Sequence, residues 1–392
     1  MDAQKLAIHF GCTIVVAERE AAFCLLEESR LLDSLQLASA EEQQGGKEHR
    51  WNPRQAVVIH ADPVSGHLAV RQLNSLGSMT QPPEHFKSGF VAIVGRTNVG
   101  KSTLLNAALG VDLAIATSKP QTTRNRILGV HTEERGQVIF VDTPGIHAAR
   151  DPLNRRMVDA AYDTMAQTDM VLFVVEAESL ALLDRPPFWG GDGEILSRLK
   201  DDAGGRPVVL AVNKADRLKS REAVLPILER VAQAHDFDDI VVLSALQKRN
   251  VDQLVDVIIK HLPEGPPLYP ADTLTDRAER FLAAEFLREQ VLKQTEREVP
   301  YAVAVEIEQM AVDHKDGKLH IKAVIHVERA SQKAIVIGKG GERIREIGRH
   351  ARQQMQRFFG QRIHLDTMVR VENEWTSARA SLDRFGYGSE DI

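Results

Sequence analysis

Cysteine is nearly absent from the 392 residues: only Cys12 and Cys24 occur, so neither a disulfide framework nor a cysteine metal cluster is indicated. A reducing cytosol is the expected compartment. Long apolar runs are missing too. None approaches the roughly 18 residues of a membrane span. The first residues lack a basic flank followed by an apolar core, so a soluble, non-secreted protein is expected. Nor does charge of one sign dominate. Lys and Arg number 49 against 55 Asp and Glu, a formal net charge of −6. That balance argues against attraction of the whole surface to nucleic acid and leaves a local basic patch open. What is present is ample: 43% apolar residues, in a chain with room for more than one domain.

The chain is organised around Gly95-Arg96-Thr97-Asn98-Val99-Gly100-Lys101-Ser102, followed by Thr103. The apolar run Phe90–Val94 before it reads as a buried strand. Lys101–Leu109 after it carries leucines and alanines at helical spacing, with Gly110 at the C-cap position. Strand, glycine loop, Gly-Lys-Ser, helix is the P-loop order. The glycines let the backbone form a nest of N–H donors around phosphates, and the helix N-terminus adds partial positive charge. Lys101 is expected to reach the β- and γ-phosphates, and the Ser102 hydroxyl to hold Mg²⁺. The alternative, a chance glycine-rich turn, does not account for the full spacing in this strand–helix context.

Further apolar strand candidates recur at Val138–Val141, Met170–Val175, Val208–Val212 and Ile240–Leu243. Helical patterns at Asn154–Met165, Glu194–Lys200, Arg221–His235 and Val251–His261 separate them. This alternation predicts an α/β fold, a doubly wound and mostly parallel sheet with ligand loops at the C-terminal strand ends. Motifs stand at those ends. Asp142-Thr143-Pro144-Gly145-Ile146 follows one strand, with Asp142 suited to the Mg²⁺ water shell and the Gly145 amide to a γ-phosphate oxygen. Asn213-Lys214-Ala215-Asp216 follows another. The Asp216 carboxylate can accept two N–H bonds from guanine, whereas adenine would leave it underpaired. Asn213 is expected to brace the loops and the Lys214 stem to lie along the base. Ser244-Ala245-Leu246 offers a backbone amide to guanine O6. Between the first two motifs, Ser118–Arg126 is polar and suits a mobile switch loop with a threonine that closes on Mg²⁺. Singly, Asp-Thr-Pro-Gly reads as a surface turn and Asn-Lys-x-Asp as a capping sequence; at this spacing they select GTP over ATP.

Together, Gly-Arg-x-Asn-Val-Gly-Lys-Ser, Thr-Thr-Arg, Asp-Thr-Pro-Gly, Asn-Lys-x-Asp and Ser-Ala resemble the TrmE–Era–EngA group of translation-related GTPases. The resemblance implies that Thr123 is the switch threonine on Mg²⁺ and that Asn98 helps bind K⁺ near the phosphates. Slow, K⁺-stimulated hydrolysis is the expectation. Ile146 stands where Ras-like proteins carry a water-orienting glutamine, so no catalytic side chain is assigned. Thr97 departs from the proline usual in the group.

Residues Pro263–Pro270 read as a stiff linker. Beyond it, Thr275–Thr295 is predicted as an amphipathic helix carrying Phe281, Leu282, Phe286, Val291 and Leu292. Tyr301–Ile307 and Leu319–Val327 alternate as strands around a turn at Asp313–Lys318. Gly338-Lys339-Gly340-Gly341 lies between helical segments, the second running to about Phe359, before a third strand at Ile363–Val371. The glycine loop matches the GxxG of a KH domain, which clamps a single-stranded backbone. Lys339, Arg343 and Arg345 belong to a basic strip with Arg329, Lys333, Arg349, Arg352, Arg357 and Arg362. Such a strip inside an acidic protein is an RNA footprint. A solvated helix face beside a turn is the alternative, and the order of elements weighs against it. Trp375, Phe385 and Tyr387 are expected to pack core.

A G domain of this group followed by one α+β type II KH domain resembles the Era family from Phe86 to the C-terminus. It implies GTP, Mg²⁺ and K⁺ as cofactors, and the 3′ end of 16S ribosomal RNA and the 30S subunit as partners in assembly. A cytoplasmic location with weak peripheral association at the inner membrane face, and no DNA partner, complete the expectation. An RNA-binding assembly factor whose G domain is mainly structural is the alternative. A tRNA-modifying relative would need a C-terminal cysteine, and none follows Cys24; a two-G-domain relative would need a second P-loop. The expected division is a small N-terminal accessory region, 1–86, of unknown function, a G domain, 87–265, and a KH domain, 274–388. Within the first region, Leu6–Val16 reads as a strand or short apolar segment, Arg19–Leu37 as a candidate helix and Ala40–Arg50 as a loop. Ala56–Ile59 and Gly66–Val70 form a hairpin around Asp62–Ser65, and Ser75–Lys87 is a linker. The Ala177–Gly193 segment looks longer than the family's loop.

Overall fold

The computed structural model describes residues 85–387 except 118, 120–121, 147–151, 183, 203–204 and 314–315, and four strands before them. The chain divides into two compact units, 1–81 and 82–392. In the first, β1 (Ile8–His9), β2 (Thr13–Val16), β3 (Val57–Ala61) and β4 (Leu68–Gln72) pair antiparallel in that order. The expected hairpin is β3–β4, with Val57 opposite Gln72 and Ala61 opposite Leu68. The helix expected at 19–37, the loop at 40–50 and the hairpin turn at 62–65 lie outside the described residues, as does the linker before residue 85.

The second unit opens with β5 (Lys87–Val94), α1 (Lys101–Leu109), β6 (Ile127–Glu133), β7 (Gly136–Asp142), α2 (Pro152–Gln167) and β8 (Met170–Glu176). It continues with α3 (Ala177–Leu180), α4 (Gly191–Asp202), β9 (Val208–Asn213), α5 (Val224–Ala234), β10 (Asp239–Val242) and α6 (Val251–His261). Six strands lie in the order β10-β9-β8-β5-β7-β6, all parallel except β6, which runs antiparallel to β7. The central strands are apolar almost throughout because helices cover both faces. One apolar cluster lies under α1 and α6, another under α2, α4 and α5. Strand β6 was not foreseen. Gly129 interrupts its apolar run, and a Cβ there would come within 2.6 Å of Leu109, so the glycine serves the packing of α1.

The KH half comprises α7 (Glu279–Gln294), β11 (Ala304–Asp313), β12 (Lys318–Val327), α8 (Ala330–Ile337), α9 (Glu342–Phe359), β13 (Ile363–Val371) and α10 (Arg379–Arg384). β12 pairs antiparallel with β11 and parallel with β13. Helix–strand–strand–helix–GxxG–helix–strand is the type II order. Three expectations need correction. Helix α7 starts at Glu279, not Thr275, because the preceding residues are tied to the G domain: Val130 N–H donates to Leu274 O at 2.9 Å, and Arg277 Nε to Arg126 O at 3.0 Å. Nor is α7 half solvated. It is buried on every side from Leu282 to Leu292 except at Ala284, with Glu285, Arg288, Glu289 and Gln290 inside. Its apolar side joins the KH core and its polar side meets the G-domain loop. Finally, β11 begins at Ala304 because Val299–Tyr301 forms a 3₁₀ turn.

Trp375 and Tyr387 are buried in a cluster with Leu382, Ala304 and the α2 residues Leu153 and Met157, and Phe385 packs against it. Trp375 Nε1 donates to Ala302 O at 2.9 Å. Among the described residues no helix is long and apolar enough to cross a membrane. Truncating so completely buried a ring costs about 3–5 kcal/mol. Trp375→Ala is therefore expected to lower the urea midpoint markedly, with a loss near that size in an equilibrium denaturation experiment.

Candidate nucleotide site and nucleic-acid interface

The P-loop joins β5 to α1, and its shape demands glycine at two places. Gly95 has φ +154°, and a Cβ there would sit 2.4 Å from Val174 O. Gly100 has φ +99°, and a Cβ there would sit 2.4 Å from Asn213 Nδ2. Lys101 is buried and donates from Nζ to Gly95 O and Arg96 O, each at 3.0 Å. Burial drives its pKa down to about 8. The Asp142 carboxylate is also buried, which pushes its pKa up, while Lys101 nearby pulls it back.

Asp142 gathers the metal side of the site. Its Oδ2 accepts from Ser102 Oγ at 2.7 Å and from Thr123 Oγ1 at 3.2 Å, and the two hydroxyls lie 2.8 Å apart. Its buried Oδ1 has no hydrogen-bond partner among the described residues. Two hydroxyls gathered on one oxygen of a buried carboxylate whose other oxygen is unpartnered make a set of hard donors that fits Mg²⁺. The fold thus brings together Ser102, Thr123 and Asp142 from three separate motifs.

On the base side, Asn213 does the expected bracing: Nδ2 donates to Val99 O at 2.9 Å, and Oδ1 accepts from Ala245 N–H at 3.0 Å. Ala215 N–H donates to Leu243 O at 3.1 Å. Asp216 accepts from the Ser244 hydroxyl. The Lys214 ammonium crosses the P-loop to Asn98 O and pairs with Glu176. Leu246 is exposed beside buried Ser244 and Ala245. Two side chains of the Asp-Thr-Pro-Gly-Ile segment face away from the site. Thr143 Oγ1 donates to Ile93 O at 2.7 Å, and the Ile146 side chain is buried in the apolar cluster under α2 while its N–H donates to Gly95 O at 3.2 Å. Gly145 lies against Thr97, where a Cβ would come within 2.7 Å.

One residue went unremarked in the sequence. Arg124, next to Thr123, is 1% exposed and reaches into the KH half. Its guanidinium donates to Val303 O at 2.8 Å, Tyr301 O at 2.9 Å and Pro300 O at 3.1 Å, and lies 5.7 and 5.6 Å from the ring centroids of Trp375 and Tyr387. Its neighbours do the same. Ala116 N–H donates to Glu289 Oε1 at 3.2 Å, Lys119 Nζ to Thr295 O at 2.6 Å, and Asn125 Nδ2 to Gly386 O at 2.9 Å. Arg288 answers from α7 with a bond to Thr122 O. The motif Thr-Thr-Arg was legible, but no local spacing reveals partners so far along the chain. Ser118, Pro120 and Gln121 of the expected switch loop lie outside the described residues.

In the KH half, Gly338, Gly340 and Gly341 all have positive φ, and the last two have open space where a Cβ would be. Arg345 Nη2 donates to Gly340 O at 3.0 Å, and Arg343 donates to Ile335 O. Both arginines therefore brace the loop. Lys339 is exposed, and Arg345, Arg349 and Arg352 follow along the exposed side of α9 at helical spacing. A bare glycine backbone flanked by cations is an arrangement suited to phosphodiester oxygens.

A family model described as 50S ribosome-binding GTPase matches residues 90–214, and one described as KH domain matches residues 298–376. The chain is 45% identical over 302 residues to GTPase Era of Syntrophus aciditrophicus (strain SB), covering 77% of this chain and 95% of that protein. Among solved structures it is similar to Era in complex with MgGDPNP and nucleotides 1506–1542 of 16S ribosomal RNA, at 39% identity and TM-score 0.72, over 78% of this chain and all of that one. A variant Era of Aquifex aeolicus bound to GDP·AlF₄⁻ gives 39% and 0.72, over 77% and 99%.

The buried Lys101 carries a pH signature. Its proton is held less tightly in the folded chain (about 8) than at the ordinary value of 10.5, so between those pH values the unfolded chain binds more protons. Stability then rises with pH through that window, by up to about 1.4 kcal/mol per unit. The cost of the buried charge is fully present below about pH 8. The difference in unfolding free energy between the nucleotide-free protein and Lys101→Met, measured by urea titration at several pH values, is expected to shrink across the window.

Proposed function

The chain belongs to the Era family of GTPases, and we propose that it is a GTP-hydrolysing switch whose KH domain binds 16S ribosomal RNA near its 3′ end and assists 30S subunit assembly in the cytoplasm. Support for the RNA comes from the similar Era structure that holds a 16S fragment, and from the glycine loop with its cationic strip. Guanine selectivity falls to Asp216, with Asn213 bracing the loops and the Ala245 region closing over the base. Ser102, Thr123 and Asp142 are the residues to hold Mg²⁺, which neutralises phosphate charge when bound. Asn98, at φ +65° in the P-loop, is the proposed K⁺ residue. With Ile146 buried in apolar surroundings, hydrolysis lacks a side chain to orient water at that position and is slow.

The observation that carries the switch is the juxtaposition of Thr123 and Arg124. One side chain closes the metal side of the nucleotide site; the next, pointing the opposite way, is locked into the KH half. Any nucleotide that moves Thr123 must move Arg124. A ligand shifts such an equilibrium only by its differential affinity for the two states, so RNA affinity must differ between the GTP and GDP forms.

The test is binding of a short single-stranded RNA copying the 3′ end of 16S ribosomal RNA. Tighter binding with a non-hydrolysable GTP analogue than with GDP is expected, abolished in Gly340→Asp and reduced to one common affinity in Arg124→Ala. Equal affinity in both nucleotide states of the native chain would sink the switch. A separate expectation concerns the cation: hydrolysis in KCl should outpace that in NaCl at equal ionic strength, and identical rates would remove Asn98 from its proposed role.

A further inference from the structure

Arg96 is the P-loop residue whose side chain leaves the loop. Its guanidinium Nε lies 2.8 Å from Asp192 Oδ1, and Nη2 donates to Ser179 Oγ at 3.1 Å. Both partners come from the segment that follows β8, Ser179 from α3 and Asp192 from the first turn of α4. Asp192 is 1% exposed, a buried carboxylate with no part in the nucleotide chemistry described above. The neighbouring Gly191 leaves room for the arginine stem: a Cβ there would come within 3.0 Å of Arg96 Cδ.

The backbone of the same arginine meets three parts of the nucleotide site. Its carbonyl accepts from Lys101 Nζ at 3.0 Å. Its backbone bridges that of Ile146, and the adjacent Gly95 carbonyl accepts from both Ile146 N–H and Lys101 Nζ. On its other side Thr97 is in contact with Gly145. Whatever fixes the Arg96 side chain therefore fixes the first turn of the P-loop, the resting place of Lys101 and the docking of the Asp142–Ile146 segment.

We propose that Asp192, seconded by Ser179, is a positioning residue of the guanine-nucleotide site, acting through Arg96 to set the P-loop before nucleotide arrives. The inference rests on the nucleotide reading and adds a residue that neither the P-loop nor the metal set contains. A preset nest loses less freedom on binding than a loose one, so the clamp's contribution appears as slower nucleotide release. Because Arg96 links the same clamp to Ile146, the release of GDP and of a GTP analogue should both respond.

The experiment follows dissociation of a fluorescent GDP analogue from the full-length chain. Asp192→Asn keeps the size and removes the charge from a charge-assisted contact, and release about tenfold faster is expected. Ser179→Ala, which cuts only the outer contact and folds without a buried charge to satisfy, should move release the same way by a smaller factor. The deciding measurement is the cycle with Arg96→Ala: once the arginine side chain is gone, Asp192→Asn should add nothing to the release rate. Melting of each nucleotide-free variant separates positioning from general damage, because a positioning role reduces the stabilisation added by GDP more than it alters the starting Tm. Release rates within twofold of the native chain in both single variants, or an undiminished effect of Asp192→Asn in the Arg96→Ala background, would overturn the proposal. A native chain that held no guanine nucleotide would instead overturn the nucleotide reading itself, and the clamp with it.

Discussion

A buried guanidinium that, among the described residues, is bonded to carbonyls and to no carboxylate holds the two halves of the second unit together. Arg124 is surrounded by three backbone carbonyls and two aromatic rings of the KH half. Burial pushes its pKa down, with Arg288 close by adding to that effect and Tyr387 and Glu285 opposing it. A cation in that position is tolerable only while every carbonyl stays in place, since a partly vacated site would leave a desolvated charge without its acceptors. In water the same arginine is fully solvated. The two comfortable arrangements are docked and undocked, with an unfavourable middle, and that is the physical requirement for a switch rather than a gradual response.

Helix α7 widens this point of contact into a surface. Its apolar side belongs to the KH core, and its polar side meets Ala116 and Thr122 of the G domain. Arg288 and Glu285 pair at 2.7 Å through both guanidinium nitrogens that face the carboxylate, so the helix carries its own neutralised charge into the interface. Such a pair gives little net stability over an apolar replacement, but it fixes register, because only one docking leaves Arg288 free to reach Thr122 O. The cluster of Trp375 and Tyr387 with Leu153 and Met157 does the same for the helix behind Asp142–Ile146. The loop that carries Thr123 and the helix that follows Asp142–Ile146 are therefore both packed on the KH half, through different elements.

What could be read from the sequence divides along the same line. The P-loop helix from Lys101 to Leu109, the strands ending at Asp142 and Asn213, and the third KH strand from Ile363 to Val371 are written locally, in apolar periodicity punctuated by glycine. Ser102 and Asp142 were legible because their motifs stand at strand ends whose place in the fold is fixed, whereas Thr123, on the loop before β6, was assigned only through the resemblance. Helix α7 defeated the same reasoning. Its charged residues at Glu285, Arg288 and Glu289 look like a solvated face, and partners far along the chain bury them: Ala116 and Thr122 of the G-domain loop, and Gln354 of α9. Arg343 and Arg345 were read as cations for RNA; that each also donates to a carbonyl beside the glycine loop was not legible. In both cases the missing information was a partner, not a propensity.

The make-up of the nucleotide site gives this arrangement its consequence for rate. Ile146 is buried in apolar surroundings, and Thr143 faces the sheet, so neither offers a side chain to take a proton or orient water. What the chain does supply is position and charge: the lysine behind the P-loop, the hydroxyls of Ser102 and Thr123, and the carboxylate of Asp142. For phosphoryl transfer these are the main catalytic means, since the reaction asks the protein chiefly to place groups and to neutralise developing charge. Thr123 is the member of that set carried on the loop packed against the KH half, beside Arg124. In a site so dependent on placement, Arg124 docked in the KH half stands next to the residue proposed to complete the metal shell, and on the proposed switch hydrolysis and RNA binding draw on one equilibrium.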